Sequence, residues 1–369
     1  MVKPDYYNTN YPHVPDLKRR AKARMPKFAF EKRQIGNTEL SVPVLGFGAA
    51  SMGNLYHAVA DEEAQKALSA ALNAGMGLFD TAPHYGLGLS ERRVGDALRS
   101  VARSEYVLST KVGRLLTPDP QAKLDELRYG FLSPMPFDEH YDYTYDGIMR
   151  SYEDSVQRLG LSEIDILLVH DIGVDTHGDQ NELYYKQLVS SGYRALDQLR
   201  SAGQIKAIGL GVNETEICER VMEFGQFDCF LLAGRYSLLE QDALHTFLPK
   251  CLDHGASIIL GGPYNSGILA TGVKGPCVPT YNYVPAPQTI IDRVARIEDI
   301  CSAHGVTLAA AALQFPLGHS AVASVIPGLG SAGRVEKTIE LFNEVIPHSF
   351  WQDLQGKGLL SEAAPIPGA

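Results

Sequence analysis

Residues 61–86 read DEEAQKALSAALNAGMGLFDTAPHYG, and this stretch contains a helix, a strand and the polar residues that follow the strand. The spacing of its apolar residues predicts a helix over residues 61–74. The short apolar run at residues 77–79 predicts a buried strand, and Asp80 follows it directly. The rest of the chain repeats this alternation of helix and strand.

Eight short apolar runs along the chain predict strands. They lie at residues 44–47, 77–79, 106–109, 164–169, 207–210, 229–232, 257–260 and 322–326. Helical patterns fill the gaps, at residues 61–74, 146–159, 184–202, 288–304 and 331–346. An open Rossmann sheet usually has about six strands and an early glycine fingerprint, whereas strands that are each followed by a helix close naturally into a barrel. The expected fold is therefore an α/β (β/α)8 TIM barrel, and residues 35–40 (IGNTEL) predict an N-terminal hairpin that plugs its floor.

The composition favours an enzyme that acts on a small molecule. A hydrophobic fraction of 45%, with 35 glycines and 21 prolines, fits a large buried core, and barrels of this length form one unit. The net charge of −10 argues against a nucleic-acid or anionic-membrane partner. No apolar run approaches the ~20 residues of a membrane span and no signal-peptide pattern follows Met1, so a cytoplasmic location is expected. The cysteines are odd in number and far apart, which predicts reduced, mostly buried thiols. They are Cys218, Cys229, Cys251, Cys277 and Cys301.

Residues 1–31 are predicted to be an extension outside the barrel, which would occupy residues 32–369. Residues 1–33 hold nine Lys or Arg against three acids, and this predicts a solvated basic helix or arm. Residues 15–31 also resemble the opening helix of flavin-dependent 2-hydroxy-acid oxidases, but nothing after Glu31 continues that resemblance.

Four polar residues lie at or near the ends of neighbouring predicted strands, where barrel enzymes place their chemistry. They are Asp80, Tyr85, Lys111 and His170. A free phenol has a pKa near ~10, and a neighbouring lysine ammonium is expected to lower it, so that Tyr85 exchanges a proton with a reacting oxygen. Asp80 would hold Lys111, and His170 would orient that oxygen, with no metal or covalent nucleophile needed. Each residue alone has an ordinary structural explanation, but their grouping at successive strand ends favours a catalytic one.

Several motifs carry a family resemblance. Residues 79–86 (FDTAPHYG), 90–98 (SERRVGDAL), 109–111 (STK) and 168–170 (LVH) resemble the signature of aldo-keto reductases, and the resemblance extends over residues 32–346. It implies a barrel that binds a nicotinamide dinucleotide. By this resemblance Tyr85 is the general acid/base, Lys111 and Asp80 tune it, and His170 orients the substrate.

The segment GLGSAG at residues 328–333 matches a GxGxxG phosphate-binding motif, although it lies too near the end of the chain for a Rossmann unit. Its backbone N–H groups at a helix N-terminus suit a phosphate, and a plain tight turn is the alternative. Arg334 is the one basic match at the adenosine end, which favours NAD over NADP unless Arg334 simply faces solvent. The resemblance implies cofactor contacts at Gly48, Ala49, Asp80, Asn213, Gly262, Tyr264, Ser266, Gly328, Gly330 and Arg334. At Gly261 the family often has an aromatic residue that stacks on the nicotinamide, and this chain lacks it.

Residues 111–116 (KVGRLL), 170–173 (HDIG) and 209–214 (GLGVNE) resemble a subgroup that includes L-fucose, D-arabinose and D-threo-aldose 1-dehydrogenases and pyridoxal 4-dehydrogenase. The leading hypothesis is NAD-dependent oxidation of an aldose at C1 to its lactone. The alternatives are oxidation of pyridoxal to 4-pyridoxolactone, a general aldehyde or ketone reductase, and a cofactor-binding regulatory subunit of a channel. Residues 131–145 either cover a hydroxylated ring or form a lid without sugar preference. Asp171 either accepts a substrate hydroxyl or caps a helix.

Overall fold

The computed structural model describes residues 30–123, 125–276 and 278–368, and eight parallel strands form its central sheet. All strands of the described chain are, in order, β1 (Lys32–Gln34), β2 (Ser41–Pro43), β3 (Phe47–Gly48), β4 (Leu78–Asp80), β5 (Val107–Val112), β6 (Arg114–Pro118), β7 (Leu127–Arg128), β8 (Phe131–Leu132), β9 (Phe137–Tyr141), β10 (Ile166–His170), β11 (Ala207–Val212), β12 (Cys229–Ala233), β13 (Ser257–Gly261), β14 (Thr280–Tyr281), β15 (Val284–Pro285) and β16 (Val322–Ile326). The parallel sheet has the order β16-β13-β12-β11-β10-β5-β4-β3.

Backbone contacts between the first and last strands close this sheet into a barrel. The Gly46 amide donates to the Val325 carbonyl at 2.9 Å, and the Gly48 amide donates to the Pro327 carbonyl at 3.0 Å. A Cβ atom at Gly48 would lie 2.8 Å from the Ile326 carbonyl oxygen, so this seam requires a glycine. The predicted barrel of eight strands is confirmed.

The helices pack around the barrel. In sequence order they are α1 (Asp61–Ala74), α2 (Leu89–Leu98), α3 (Tyr145–Leu159), α4 (Val174–His177), α5 (Asn181–Gln187), α6 (Tyr193–Ser201), α7 (Glu216–Met222), α8 (Phe247–His254), α9 (Ile268–Thr271), α10 (Gln288–His304), α11 (Leu308–Gln314), α12 (Ala332–Phe342) and α13 (His348–Gly356). The helices predicted over residues 61–74 and 288–304 are confirmed. The one predicted over residues 331–346 is too long, because α12 ends at Phe342. Its C-cap is Asn343, whose side-chain amide donates to the Ile339 carbonyl at 2.8 Å.

The N-terminal hairpin β1–β2 closes the floor of the barrel, as predicted. Ile35, Leu40 and Val42 pack among the apolar side chains that fill the barrel interior. The Gly36 amide donates to the Ser257 hydroxyl at 2.8 Å, and Ser257 is the first residue of β13. The hairpin therefore lies at the amino ends of the strands and leaves their carboxyl ends open for a site.

The free thiols are buried, as predicted, at Cys218, Cys229, Cys251 and Cys301. Cys277 and residues 1–29, which include most of the predicted basic extension, lie outside the described residues. Within the described ranges no single helix is long and apolar enough to span a membrane. One helix pair, Gln288–His304 with Leu308–Gly318, has suitable length and composition together but bends by 102° between its two halves.

Candidate active site

A buried ion pair joins two adjacent barrel strands at the carboxyl end. Asp80 ends β4. Lys111 lies within β5 and not after it, because the strand continues to Val112, beyond the predicted end at residue 109. The Lys111 Nζ atom donates to Asp80 Oδ2 at 2.6 Å and to the Thr81 carbonyl at 2.9 Å. Ser109 Oγ donates to the other Asp80 oxygen at 2.9 Å. These hydrogen bonds offset part of the cost of removing both charges from water, and burial still raises the pKa of Asp80 above its usual value.

The barrel interior has room for the lysine because a glycine lies beside it. A Cβ atom at Gly211 on β11 would lie 3.0 Å from Lys111 Cε. Burial alone would lower the pKa of Lys111, but the Asp80 carboxylate raises it above its usual value. Lys111 therefore places a positive charge in the barrel mouth.

Tyr85 lies in the loop after β4, with its ring against this charge. Lys111 Nζ is 4.8 Å from the centroid of the Tyr85 ring, and the His170 ring is 6.1 Å away and nearly perpendicular. Burial raises the pKa of Tyr85 to about 12, while the charge of Lys111 acts to lower it. The sequence predicted a lowered pKa for Tyr85. That prediction has the right sign for the effect of Lys111, but it is wrong for the net pKa because burial is the larger effect.

His170 is the last residue of β10 and is buried. Burial, followed by the charges of Arg114 and Lys111, lowers the pKa of His170 well below its usual value, so the imidazole is neutral near pH 7. Its Nδ1 atom has no hydrogen-bond partner in the described parts of the chain. Its Nε2 atom lies 3.5 Å from Asp171 Oδ2, which favours the tautomer with hydrogen on Nε2. The arrangement suits a hydrogen-bond donor that does not itself titrate near neutral pH.

Asp171 does not cap a helix, so one of its two predicted roles is wrong. Its carboxylate pairs with the Arg114 guanidinium, and its backbone has a φ of 47°, an uncommon value for a residue other than glycine. Glu214 caps α4 instead, accepting from the Val174 and Asp175 amides at 2.9 and 3.0 Å. Asp171 remains partly exposed beside His170, and its predicted contact with substrate stays a prediction.

Three further polar residues next to the site were not singled out from the sequence: His84, Arg114 and Glu139. Arg114 Nη1 donates to Glu139 Oε1 at 2.8 Å, and Glu139 Oε2 lies 2.8 Å from His84 Nδ1. Arg114 and Glu139 lie on β6 and β9, which pair as antiparallel strands in the insertion after β5. The alternation of side-chain types along residues 137–141 is a sequence signal for a strand. The strand with which it pairs is set by the tertiary structure and cannot be predicted from that signal.

The insertion after β5 also brings aromatic side chains over Tyr85. The Phe131 ring lies 5.2 Å from His84 and 6.2 Å from Tyr85, and the Tyr129 ring lies 6.1 Å from His84. The Tyr56 amide donates to the Gly130 carbonyl at 3.0 Å, which ties this insertion to the loop after β3. The site consequently has aromatic rings packed beside His84 and its charged partners.

The loop after β16 leads directly into the capped N-terminus of α12. Ser331 is the N-cap of α12, and its hydroxyl accepts from the Arg334 amide at 3.3 Å. Cβ atoms added at Gly328 or Gly330 would meet only the Ser51 side chain, at 3.5 Å or more, so the loop presents open backbone. Small residues before a capped helix N-terminus fit a bound phosphate. Arg334 is exposed and makes no ion pair with any described residue.

The other predicted cofactor residues line the same end of the barrel. Asn213 donates to the Ala233 carbonyl at 3.2 Å and contributes to a cavity of about 450 Å³ beyond β11 and β12. Ser266 accepts from the Tyr283 amide at 2.9 Å, so its hydroxyl also holds the β14–β15 hairpin. Ala49 is fully buried and its carbonyl accepts from Ser90 Oγ at 2.7 Å, so its side chain does not face the open mouth.

Gly261 occupies the position where the family often has an aromatic residue that stacks on the nicotinamide. A Cβ atom at Gly261 would lie 3.2 Å from the Leu231 side chain, in the barrel wall. Gly262 follows with a φ of 57°, which turns the loop away from β13. Tyr264 is partly buried against the core in the same loop. Contacts of these residues with a dinucleotide stay predictions.

The described residues contain no group of three or more His, Cys, Asp or Glu side chains that could hold a metal ion. The groups at the barrel mouth are instead a phenol, an ammonium–carboxylate pair and a neutral imidazole. This set can move a proton to or from an oxygen while a separate carrier takes or gives a hydride.

Comparisons with known proteins agree with this geometry. Residues 44–358 match the model of the Aldo/keto reductase family. The chain is 44% identical over 341 residues to pyridoxal 4-dehydrogenase of Microbacterium luteolum, covering 90% of this chain and 99% of that protein. It is 39% identical over 317 residues to D-threo-aldose 1-dehydrogenase of a Pseudomonas species, covering 85% of this chain and 94% of that protein.

Solved structures share the fold. An aldo-keto reductase from Bacillus halodurans in its holo form has a TM-score of 0.70 at 23% identity, covering 89% of this chain and 96% of that one. A glycerol dehydrogenase from Gluconobacter oxydans has a TM-score of 0.69 at 20% identity, covering 93% and 98%. The chain therefore belongs to the Aldo/keto reductase family and is a nicotinamide-dependent oxidoreductase acting on CH–OH groups.

Proposed function

We propose that this enzyme oxidises the cyclic hemiacetal of pyridoxal to 4-pyridoxolactone, with NAD as the hydride acceptor. The observation that carries the proposal is the position of the Tyr85 ring, 4.8 Å from the Lys111 ammonium and 6.1 Å from the neutral His170 ring. A phenol between a fixed cation and a neutral hydrogen-bond donor suits removal of a proton from an alcohol oxygen.

In this reaction Tyr85 accepts the hydroxyl proton of the hemiacetal while the C–O bond becomes a carbonyl. Lys111 stabilises the phenolate form that accepts the proton, and Asp80 keeps Lys111 in place. His170 donates from Nε2 to the reacting oxygen and so orients the carbon that loses hydride. NAD, when bound, accepts the hydride and its electron pair from that carbon.

Aromatic walls support pyridoxal as the substrate. The rings of His84 and Phe131 lie next to Tyr85, and that of Tyr129 lies next to His84. Flat rings favour offset or edge contacts with a heteroaromatic substrate. The relative at 44% identity over nearly its whole length is a pyridoxal 4-dehydrogenase. The sequence alone favoured an aldose, and these two observations reverse that order.

An aldose remains the second candidate, oxidised at C1 by the same steps. The relative at 39% identity is a D-threo-aldose 1-dehydrogenase. Asp171 and Arg114 also place charged groups next to His170, where sugar hydroxyls could bind them.

NAD is preferred to NADP in this proposal because Arg334 is the single cation of the capped loop. A 2′-phosphate usually needs more than one charge-assisted partner. Lys337, one turn further along α12, is engaged with Glu340 at 3.0 Å.

A panel of substrates, each assayed with NAD and with NADP, tests the proposal. We expect the highest kcat/KM for pyridoxal with NAD, with 4-pyridoxolactone as the product identified by mass. Higher activity on L-fucose or D-arabinose would select the aldose candidate. Formation of reduced cofactor from none of these substrates, together with reduction of simple aldehydes, would reject the hemiacetal proposal in favour of a general reductase.

Replacing Tyr85 by Phe tests the role of the phenol. Tyr85→Phe should lower kcat by about 10²–10⁴-fold, the usual contribution of a general acid or base. The dissociation constant for NADH, measured by fluorescence, should stay close to that of the wild type. Equal turnover by Tyr85→Phe and wild type would show that another group carries the proton.

A further inference from the structure

A second charged cluster lies beside Tyr85, and the proton transfer proposed above does not use it. The cluster consists of His84, Arg114, Glu139 and Asp171. Arg114 joins its members, because it donates to Glu139 at 2.8 Å and pairs with Asp171, while its Nη1 atom lies 3.0 Å from His84 Nδ1. The side chains of Arg114 and Glu139 are only 7% and 5% exposed. Such a buried network is costly to maintain unless its partners are well satisfied.

The cluster fixes the ring of His84 at one side of the reaction space. The ring centroids of His84, Tyr85 and His170 form a triangle with sides of 6.3, 6.1 and 5.8 Å. The reacting oxygen belongs on the Tyr85–His170 side of this triangle. A second oxygen of the same substrate, close in space to the reacting one, then lies toward the third ring, that of His84.

One ring nitrogen of His84 is engaged and the other is available. Nδ1 lies 2.8 Å from Glu139 Oε2. Burial alone would raise the pKa of Glu139, but the hydrogen bond from His84 and the Arg114 charge lower it, so Glu139 stays ionised. Nε2 of His84 has no hydrogen-bond partner in the described part of the chain, and the side chain is 18% exposed. An imidazole nitrogen held this way binds a substrate oxygen with little loss of side-chain entropy.

We propose that His84 is a specificity-determining residue, whose Nε2 atom hydrogen-bonds the substrate hydroxyl that lies beside the reacting hemiacetal oxygen. Glu139 and Arg114 are positioning residues that hold the imidazole ring. This proposal rests on the proposed function. It applies to both candidate substrates, because each has a hydroxyl group in this place. In pyridoxal this is the 3-hydroxyl, on the ring carbon next to the one that carries the reacting carbon. In an aldose it is the 2-hydroxyl, on the carbon bonded directly to the reacting carbon.

The test compares each substrate with the analogue that lacks this oxygen. The pairs are pyridoxal with 3-deoxypyridoxal, and L-fucose or D-arabinose with the matching 2-deoxy sugar. The kcat/KM ratio within a pair is measured for wild type, His84→Leu and His84→Gln. Any intrinsic effect of the hydroxyl on reactivity is the same in all three proteins and cancels when their ratios are compared.

We expect the wild-type preference for the hydroxylated substrate to fall by about tenfold in His84→Leu, the value of one hydrogen bond of about 1.4 kcal/mol. His84→Gln keeps a hydrogen-bonding group near the position of Nε2 and should keep part of the preference. Glu139→Gln, which loosens the ring without removing it, should reduce the preference by less than His84→Leu does. The pair on which the wild type is active identifies which of the two oxygens is bound.

The controls separate this role from a structural one. His140→Gln changes an exposed histidine on the same strand as Glu139 and should leave the ratio unchanged. An equal loss on both members of a pair in His84→Leu, with NADH affinity retained, would overturn the role of His84 and leave the proposed function intact. A wild type inactive on pyridoxal and on every aldose would instead overturn the proposed function, and the His84 proposal with it.

Discussion

Burial and a neighbouring charge act on the Tyr85 phenol in opposite directions, and this balance predicts the pH dependence of the reaction. With its pKa raised to about 12, the phenol is protonated at neutral pH. Oxidation needs the phenolate, whose fraction rises about tenfold per pH unit below the pKa. The kcat/KM for oxidation should therefore increase from pH 6 to pH 10, and the positive charge of bound NAD shifts the rise to lower pH.

The reverse reaction should show the opposite pH trend, because reduction needs the protonated phenol. His170 adds no step to either profile above pH 6, since its pKa lies well below the usual value. Initial rates in both directions across one set of buffers check this. An oxidation rate that falls as the pH rises would contradict the assignment of Tyr85 as the base.

Lys111 is predicted to matter for stability as well as for activity. Lys111→Met leaves the buried Asp80 carboxylate without its partner, and breaking a buried ion pair on one side costs about 3–5 kcal/mol. The double variant Asp80→Asn/Lys111→Met should recover part of that loss. Urea unfolding of both variants measures the two free energies of unfolding. Equal stability of Lys111→Met and wild type would show that other groups stabilise the buried Asp80 carboxylate.

The sequence was enough to predict that Asp80, Tyr85, Lys111 and His170 lie together at the barrel mouth, because each lies at or near the end of a barrel strand. Their catalytic roles stay predictions. The sequence was not enough for His84 or Glu139. His84 precedes Tyr85 in a loop, and its importance depends on a carboxylate 55 positions away in the chain. The net pKa of Tyr85 also could not be predicted, because the degree of burial is a tertiary property.

Among the elements, the capped helix α12 carries the predicted phosphate contact. Ser331→Ala removes the side chain that accepts from the Arg334 amide. Loss of an N-cap of this kind costs about 1 kcal/mol. We expect a small drop in stability and weaker binding of NAD, because the first turn of α12 would no longer be held in place for a phosphate.

Thermal unfolding with and without NAD measures both effects of Ser331→Ala. Ser349→Ala on α13 is a matched control, since it changes a serine near another helix start that carries no predicted cofactor contact. A Ser331→Ala variant with unchanged NAD affinity would favour the plain-turn interpretation of residues 328–333.

The insertion of β6 to β9 shows why element prediction fails where pairing is nonlocal. Residues 131–145 were predicted only to cover the site, as a lid or as a sugar-binding segment. In the structure Arg114 and Leu116 on β6 face residues 137–141 on β9 across a two-stranded sheet. Each strand is short, and its partner lies about twenty residues away, so no local pattern specifies the pair.

At the scale of the whole molecule, the barrel could be predicted from the number of strand–helix units, because eight such units have few other ways to bury their apolar faces. The bounds of individual strands were predicted less accurately. The first strand was predicted at residues 44–47, whereas β3 covers Phe47–Gly48. Residues 44–46 still contribute seam hydrogen bonds, but their irregular geometry interrupts the strand.

The hairpin at the floor of the barrel leads to a prediction about truncation. Arg33 Nη1 donates to the carbonyls of Leu317 and Val322 at 3.0 and 2.8 Å, and Ile35, Leu40 and Val42 are buried in the barrel interior. Residues 1–29 precede all of these contacts and also precede the family match, which begins at residue 44. Removing residues 1–29 should therefore leave the kcat/KM and the melting temperature unchanged. Removing residues 1–43 deletes three buried side chains, each worth about 1.5–3 kcal/mol, and should abolish folding. Circular dichroism and turnover of the two truncated proteins, measured side by side, check both outcomes. A loss of turnover on removal of residues 1–29 alone would show that the basic extension contributes to catalysis.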